Sequence, residues 1–144
     1  RDGLSGDGGG QLPAAFARAP HRDPVPLGVA SAGLAILAHM PDQEIEAHLS
    51  RVDLTQDWGP DHARPALEKR IETTRLTGYA VNPALIVEGS WGMGARCSIT
   101  AAPDLGVSLT GVESRFRPDR VPELGEALLD SAHRLTQLLR HRPR

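Results

Sequence analysis

The sequence lacks a pair of cysteines, a long apolar run and an excess of positive charge. A single cysteine, Cys97, excludes an internal disulfide and fits a reducing compartment such as the cytoplasm. No apolar run approaches the roughly 20 residues that a membrane-spanning helix needs, so we expect no membrane partner. The net charge of -2 argues against direct binding of nucleic acid by this chain, because phosphate binding requires a clustered basic surface.

Length and composition indicate one compact domain. The chain has 144 residues, of which 40% are apolar and 24% are charged, as in globular and soluble proteins. It begins with Arg1 and shows neither an initiating methionine nor the pattern of a signal peptide. We therefore expect a C-terminal piece of a longer protein. Residues 1–19 would form an N-terminal loop with partial first strands, and residues 20–144 the domain itself.

Four segments have the pattern of helices. The first is the apolar stretch 31–38, the second runs from Pro41 to about Arg51, and the third occupies residues 65–77 before Gly78. The last is expected to begin near residue 118 and carries an apolar stripe at helical spacing: Val121, Leu124, Leu128, Ala132, Leu135 and Leu139.

Strand patterns occupy the second half of the chain. Residues 79–87, 91–100 and 105–112 read as strands, with a turn at 103–104 between the last two and with Pro83 implying an edge or a break in the first. A further short edge strand is predicted at residues 12–18. Strands flanked by helices, with a hairpin in the second half, indicate an α+β sheet domain.

Residues alternate along the two strands of this hairpin. One face carries apolar side chains, and the other carries mostly glycines and hydroxyls, which would leave room for a small polar ligand over the sheet. The alternative is that this face is simply exposed to solvent, where serine and threonine are common. The small and polar face consists of Ser90, Gly92, Gly94, Arg96, Ser98, Gly106, Ser108 and Thr110.

The start of the first helix is a second candidate for ligand binding. Ser31, Ala32 and Gly33 have no bulk to cover the backbone, and the first turn of a helix leaves N–H groups unpaired. A carboxylate placed there would gain those donors and the helix dipole together. The alternative is that Ser31 is a plain N-cap that needs no ligand.

Other chemistry has little support in the sequence. The six histidines are scattered without the spacing of metal ligands, so we expect no metal and no cofactor. Cys97 shares a strand face with Met93 and Ile99, which favours a buried, inert thiol over a nucleophile. The glycines at 6–10 are not preceded by a strand or followed directly by a helix, so they do not form a phosphate loop.

Five short segments keep a common order along the chain. They are PLGVASAGLAILA at 26–38, PDQE at 41–44, TGYA at 77–80, SLTG at 108–111 and SRF at 114–116. Together they resemble the effector-binding domain of the IclR family of bacterial transcription regulators. The similarity covers roughly residues 20–140.

The resemblance implies a GAF-like fold, a curved antiparallel sheet with helices on both faces. It also implies a pocket for a small organic acid, often carboxylic or aromatic, between the sheet and the first helix. The sequence departs from the family where Leu34 replaces a common lysine, Gly92 a common cysteine and residues 82–85 an acidic stretch. The loss of acidic groups and of a side chain suggests a roomier, less negative pocket and a larger acid. By position, the effector-binding residues would be Ser31, Ala32, Asn82, Ser90, Gly92, Ser108 and Thr110.

The function implied is a cytoplasmic sensor and not an enzyme. Effector binding would control DNA binding through an upstream winged helix-turn-helix domain that is absent from this chain, and the protein would form homodimers or homotetramers. Two alternatives remain at this point. One is a GAF-like hydrolase that uses Cys97 or a pocket serine, and the other is a dimerisation module without a ligand.

Overall fold

The computed structural model describes residues 26–83, 89–98 and 105–141. Within those ranges, helices precede and follow a three-stranded antiparallel sheet. Two short 3-10 helices lie at Pro60–His62 and Glu113–Arg115. The main elements are α1 (Ser31–Ala38), α2 (Asp42–Arg51), α3 (Thr55–Trp58), α4 (Arg64–Thr77), β1 (Tyr79–Pro83), β2 (Ser90–Cys97), β3 (Leu105–Val112) and α5 (Val121–Arg140).

Local sequence explains the bounds of the two middle helices. Pro41 precedes α2 with a φ of -56°, which suits a helix start, and Asp42 and Glu44 place negative charge at the positive end of the helix dipole. Helix α4 has Pro65 in its first turn and ends before Gly78, whose φ of +89° is left-handed. Both helices lie where the sequence predicted them, to within a residue.

The central strand of the sheet is β2, and β1 and β3 pair with it in antiparallel orientation. The register places Asn82 and Thr110 on either side of Gly92, and it places Ser108 opposite Gly94. Since side chains alternate across a strand, these residues all point to one face of the sheet. The alternation predicted for the hairpin is therefore confirmed.

Helices cover both faces of this sheet. Helix α1 packs on the glycine-bearing face, together with an apolar cluster that joins it to α2 and α4. Helix α5 packs on the opposite face, where Trp91 and Phe116 also stack with ring centroids 6.1 Å apart. The predicted α+β class, with an antiparallel sheet between helices, is confirmed. The second cluster consists of Met93, Ala95, Cys97, Phe116, Leu128 and Ala132.

Three details differ from the sequence-based predictions. Helix α5 begins at Val121, because residues 117–120 form a turn in which the Arg120 N–H donates to the Arg117 carbonyl. Helix α3 and the 3-10 helix after it were not predicted, since neither is long enough to show a periodicity. Leu105 and Leu109 remain 42% and 38% exposed, because α5 lies mainly over β2.

Some predictions concern residues outside the described ranges. These are the strand at 12–18, the end of the first hairpin strand at 99–100, the turn at 103–104 and the continuation of β1 beyond Pro83.

Candidate functional site

The first turn of α1 presents backbone N–H groups that no side chain caps. Its N-cap residue is Ala30, and the Leu34 N–H donates to the Ala30 carbonyl at 2.8 Å. The N–H groups of Ser31, Ala32 and Gly33 come before this bond and have no acceptor within the helix. Ser31 is the first helical residue and does not cap the helix, so the plain N-cap considered from the sequence is wrong.

Glycines in the sheet hold this turn directly against the strands. A β-carbon on Gly94 would overlap the backbone of Ser31, and one on Gly92 would lie 3.2 Å from the Ser31 hydroxyl oxygen. One on Gly106 would lie 3.1 Å from the β-carbon of Ala32. This close approach of helix and strand backbones requires residues without a side chain. The open space that the sequence predicted over these glycines is therefore occupied by α1.

The residues predicted to bind an effector surround this contact. Asn82, Gly92 and Thr110 form one row across the three strands, and Ser108 points to the same face from the next row. Ser108 and Thr110 are exposed, whereas Ser90, at the start of β2, is half-buried. With Ser31 and Ala32 above the sheet, all seven residues lie at the interface of α1 with one sheet face or beside it.

Asn82 connects this row to the segment that enters α1. Its side chain is buried, and its Nδ2 donates to the Val29 carbonyl at 2.6 Å. That bond sets the orientation of the amide, so Oδ1 remains as an acceptor. Oδ1 is buried and has no hydrogen-bond partner among residues 26–83, 89–98 and 105–141. An unpaired buried acceptor costs about 1–3 kcal/mol, and a ligand hydroxyl or N–H group at this point would remove that cost.

Charged groups contribute little to the site. None of the seven predicted residues carries a charge, and the basic side chain that shares this sheet face is the half-buried Arg96, whose register partner on β3 is Gly106. Recognition of an anion here would depend on the N–H groups of α1 and on hydroxyl donors. These are the groups that bind carboxylates at helix N-termini.

Other reactive groups in the described part of the chain do not form a site of their own. Cys97 is fully buried between β2 and α5, as its strand face predicted. No group of three or more metal-ligating side chains occurs in the described ranges. No helix there is long and apolar enough to cross a membrane.

Sequence reasoning missed the role of the Val29 carbonyl as the anchor of Asn82. The two residues are 53 positions apart, and a backbone acceptor carries no signal in the sequence. Alternation alone could place Asn82 on the correct face of β1, but it could not show that one amide atom would be bonded and the other left without a partner.

The described part of the chain is thus a sheet between helices with an uncharged polar site at one face of the sheet. Residues 23–137 match the family described as "Bacterial transcriptional regulator IclR C-terminal". The chain belongs to the IclR family, and it corresponds to the C-terminal domain of these transcriptional regulators. The family resemblance drawn from five short segments is thereby confirmed.

Curated relatives and solved structures agree with this assignment. The chain is 27% identical over 114 residues to the HTH-type transcriptional regulator KipR of Bacillus subtilis (strain 168), covering 78% of this chain and 46% of KipR. The crystal structure of IclR from Thermotoga maritima aligns with a TM-score of 0.70 and 26% identity over 78% of this chain and 47% of that protein. Such relatives are transcriptional regulators and not enzymes.

For one solved effector domain, the alignment covers a larger share of the solved structure. The effector domain of a transcriptional regulator IclR from Acinetobacter sp. ADP1 aligns with a TM-score of 0.64 over 87% of this chain and 71% of that structure. At 21% identity this match supports the fold alone. The chain spans about half the length of the full regulators that it matches.

Proposed function

We propose that this chain is the effector-sensing half of an IclR-type regulator and binds a small organic acid beside the first turn of α1. The observation that carries the proposal is the buried Oδ1 of Asn82, which has no partner in the described part of the chain and belongs to the strand joined to the entry of α1 by the Val29 hydrogen bond. Within the same interface, the first turn of α1 has three N–H groups without acceptors in the helix. A ligand with one acceptor group and one donor group satisfies both needs.

The chemistry of these groups narrows the ligand class. A carboxylate fits the N–H groups of α1, where donors and the positive end of the helix dipole coincide. Asn82 Oδ1 requires a donor, which a carboxylate lacks and a hydroxyl supplies. Ser108 and Thr110, exposed on β3 on the other side of β2 from Asn82, offer further hydroxyls to the polar end of the ligand. The proposed effector is therefore a hydroxy acid, aliphatic or aromatic.

Control of transcription would follow from linkage between sites. An effector that binds one arrangement of the subunits more tightly shifts the population toward it, and so changes the spacing of the DNA-binding domains upstream. In this proposal the complete protein is a cytoplasmic homodimer or homotetramer with a winged helix-turn-helix domain before this one. A hydrolase based on Cys97 is not retained, because that thiol is fully buried and the relatives are regulators.

The proposal is tested by thermal unfolding with matched pairs of acids. Lactate is compared with propionate, and 4-hydroxybenzoate with benzoate, so that each pair differs by one hydroxyl. A ligand at about 100 times its Kd stabilises the folded state by roughly 2.7 kcal/mol, which raises the melting temperature by several degrees. We expect at least one hydroxy acid to stabilise the domain and its partner without the hydroxyl to do so less.

Two double variants locate the effect. Ser108→Ala with Thr110→Ala should reduce the stabilisation, whereas Ser50→Ala with Ser131→Ala removes exposed hydroxyls on α2 and α5 and should leave it unchanged. Absence of stabilisation by all four acids would contradict the proposal. It would favour a module that only dimerises, for which the exposed Leu109 on the open edge of β3 is the supporting observation.

A further inference from the structure

A groove lies between α4 and β1, on the side of the sheet opposite to α1. Its volume is about 490 Å³, within the range of roughly 300–1,000 Å³ that is usual for small-molecule pockets. Helix α4 and β1 are joined through Gly78, so the strand runs back along the helix and leaves the groove between them. The residues that define this α4 groove include Ala66, Arg70, Thr73, Tyr79, Val81 and Val121.

The two ends of the α4 groove differ in chemistry. Lys69 and Arg70, in the first half of α4, place two positive charges at one end. Thr73 and Thr77, one and two turns further along the helix, line the wall toward Gly78. The opposite wall is formed by β1 and the start of α5, where Val81, Pro83 and Val121 are apolar. The groove therefore combines a cationic end with an apolar wall.

Arg70 has hydrogen-bonding capacity that the described part of the chain does not use. Its Nη1 donates to the Asp61 carbonyl at 2.8 Å, whereas Nε and Nη2 are buried and have no hydrogen-bond partner. Nε and Nη2 form one edge of the guanidinium, and two parallel N–H groups on one edge match the two oxygens of a carboxylate. Buried donors of this kind call for an acceptor that is not part of the described chain.

The surroundings of Arg70 do not supply that acceptor. Burial lowers the pKa of the Arg70 guanidinium, and the charge of Asp61 only partly opposes this effect. The neighbouring His62 is buried, and burial together with the charge of Arg70 lowers its pKa, so the neutral imidazole is favoured and carries no charge that could compensate Arg70. A cation with little compensation beside a groove is typical of a binding site for an anion.

We propose that the α4 groove is a second ligand site, which binds an organic carboxylate with an apolar body and pairs its carboxylate with the Nε–Nη2 edge of Arg70. Arg70 lines the groove, and pairing with the ligand requires its buried Nε–Nη2 edge to turn toward the groove. The apolar body lies along Val81, Pro83 and Val121. This site is separate from the one beside α1, because β1 directs Tyr79 and Val81 away from the face that carries Asn82.

The test uses two fluorescent probes that differ by one charge. Anilinonaphthalene sulfonate carries an anionic group on an aromatic body, and phenylnaphthylamine has the same body without the charge. We expect saturable binding of the sulfonate, weaker binding of the neutral probe, and displacement of the sulfonate by naphthoate. Arg70→Met should weaken the sulfonate about tenfold and should abolish the preference for the charged probe, because charged hydrogen bonds of this kind are lost.

Two further variants separate binding from folding. Thr73 is exposed on α4, so Thr73→Trp fills the groove without disturbing the core and should block both probes. Arg51→Met removes an exposed arginine from α2 with the same change of net charge, and it should leave binding unchanged. Thermal unfolding of each variant verifies that it is folded before titration.

Several outcomes would overturn the inference. They are equal affinity for the two probes in the unmodified chain, unchanged sulfonate binding in the Arg70→Met or Thr73→Trp variant, and the absence of saturable binding. Sulfonate binding that is lost in the Ser108→Ala, Thr110→Ala double variant would also overturn it and would assign the probe to the site beside α1. A negative result for the α4 groove therefore does not decide the proposed effector site beside α1, which is tested separately.

Discussion

Asn82 and Gly94 determine, at the scale of single residues, how the sheet meets α1. Asn82 holds the entry of α1 through one hydrogen bond, and Gly94 allows the helix backbone to approach the strand. The sequence predicted the face on which Gly94 lies, because strand alternation is a local property, whereas Asn82 was named only by position in the family. The sequence could not predict that α1 would fill the space above the glycines, since that contact joins residues more than 60 positions apart.

Replacement of Asn82 tests the role of its hydrogen bond. Asn82→Ala removes the donor to the Val29 carbonyl and leaves that buried acceptor unpaired. The substitution also removes the unpaired Oδ1, which offsets part of this cost, so we expect the free energy of unfolding, measured with urea, to fall by about 1 kcal/mol. Thr110→Ala, on the same cross-strand row but exposed, should change it by no more than about 0.5 kcal/mol. Equal effects of the two substitutions would show that the Asn82 bond does not stabilise the fold.

Alanine substitutions at glycines should give effects of opposite sign. Gly94→Ala places a β-carbon into the backbone of Ser31 and should destabilise the domain by about 1–3 kcal/mol. Gly33→Ala, inside α1, meets its nearest neighbours at an ordinary 3.6 Å and should stabilise it by up to about 1 kcal/mol. Urea unfolding of both variants measures this difference. A Gly94→Ala variant as stable as the unmodified chain would contradict the close packing of α1.

At the scale of helices and strands, proline and glycine were the residues from which most bounds could be predicted. Pro41, Pro65 and Gly78 mark the bounds of α2 and α4, because their backbone preferences act within a single turn. The short α3 and the 3-10 helix after it escaped prediction, and this is the segment that supplies His62 and Asp61 to the surroundings of Arg70. The α4 groove was not predicted because its walls come from α4, β1 and the start of α5, and the packing of separate elements gives no local signal in the sequence.

The buried His62 makes stability dependent on pH. Its Nδ1 bonds to the Trp58 carbonyl, and burial, with the charge of Arg70, lowers its pKa, while the Trp58 bond and the charge of Asp61 oppose this effect. Because its pKa in the folded state lies below the unfolded value of about 6.5, the unfolded chain binds the extra proton first. The contribution of His62 to the free energy of unfolding is therefore complete above about pH 6.5, and it is lost as the pH falls toward the pKa of His62 in the folded state.

Urea unfolding between pH 7.5 and pH 5 measures the pH dependence that His62 causes. This range extends roughly one unit or more on either side of the unfolded pKa of about 6.5. The free energy of unfolding should decrease as the pH is lowered in the unmodified chain, and it should decrease less steeply in the His62→Gln variant. His133→Gln, at an exposed position of α5, serves as the matched control and should keep the original slope. Identical slopes for all three proteins would exclude His62 as the source.

At the scale of the whole molecule, the chain spans about half the length of the regulators that it matches, and its family could be identified from five short segments. One of those segments contains Gly78, whose left-handed φ of +89° favours glycine. Effector identity is not encoded in such positions. In the proposed function it depends on a few side chains, of which Asn82 carries a buried Oδ1 without a partner among the described residues.

The most direct test of the central claim is an amide NMR spectrum of the labelled chain, titrated with whichever of lactate and 4-hydroxybenzoate gives the larger thermal stabilisation. Binding beside α1 predicts saturable shifts at the N–H groups of Ser31, Ala32 and Gly33 and at the side-chain amide of Asn82. Shifts confined to Arg70 and its neighbours in the α4 groove, or no saturable shifts with either acid, would contradict the proposed effector site.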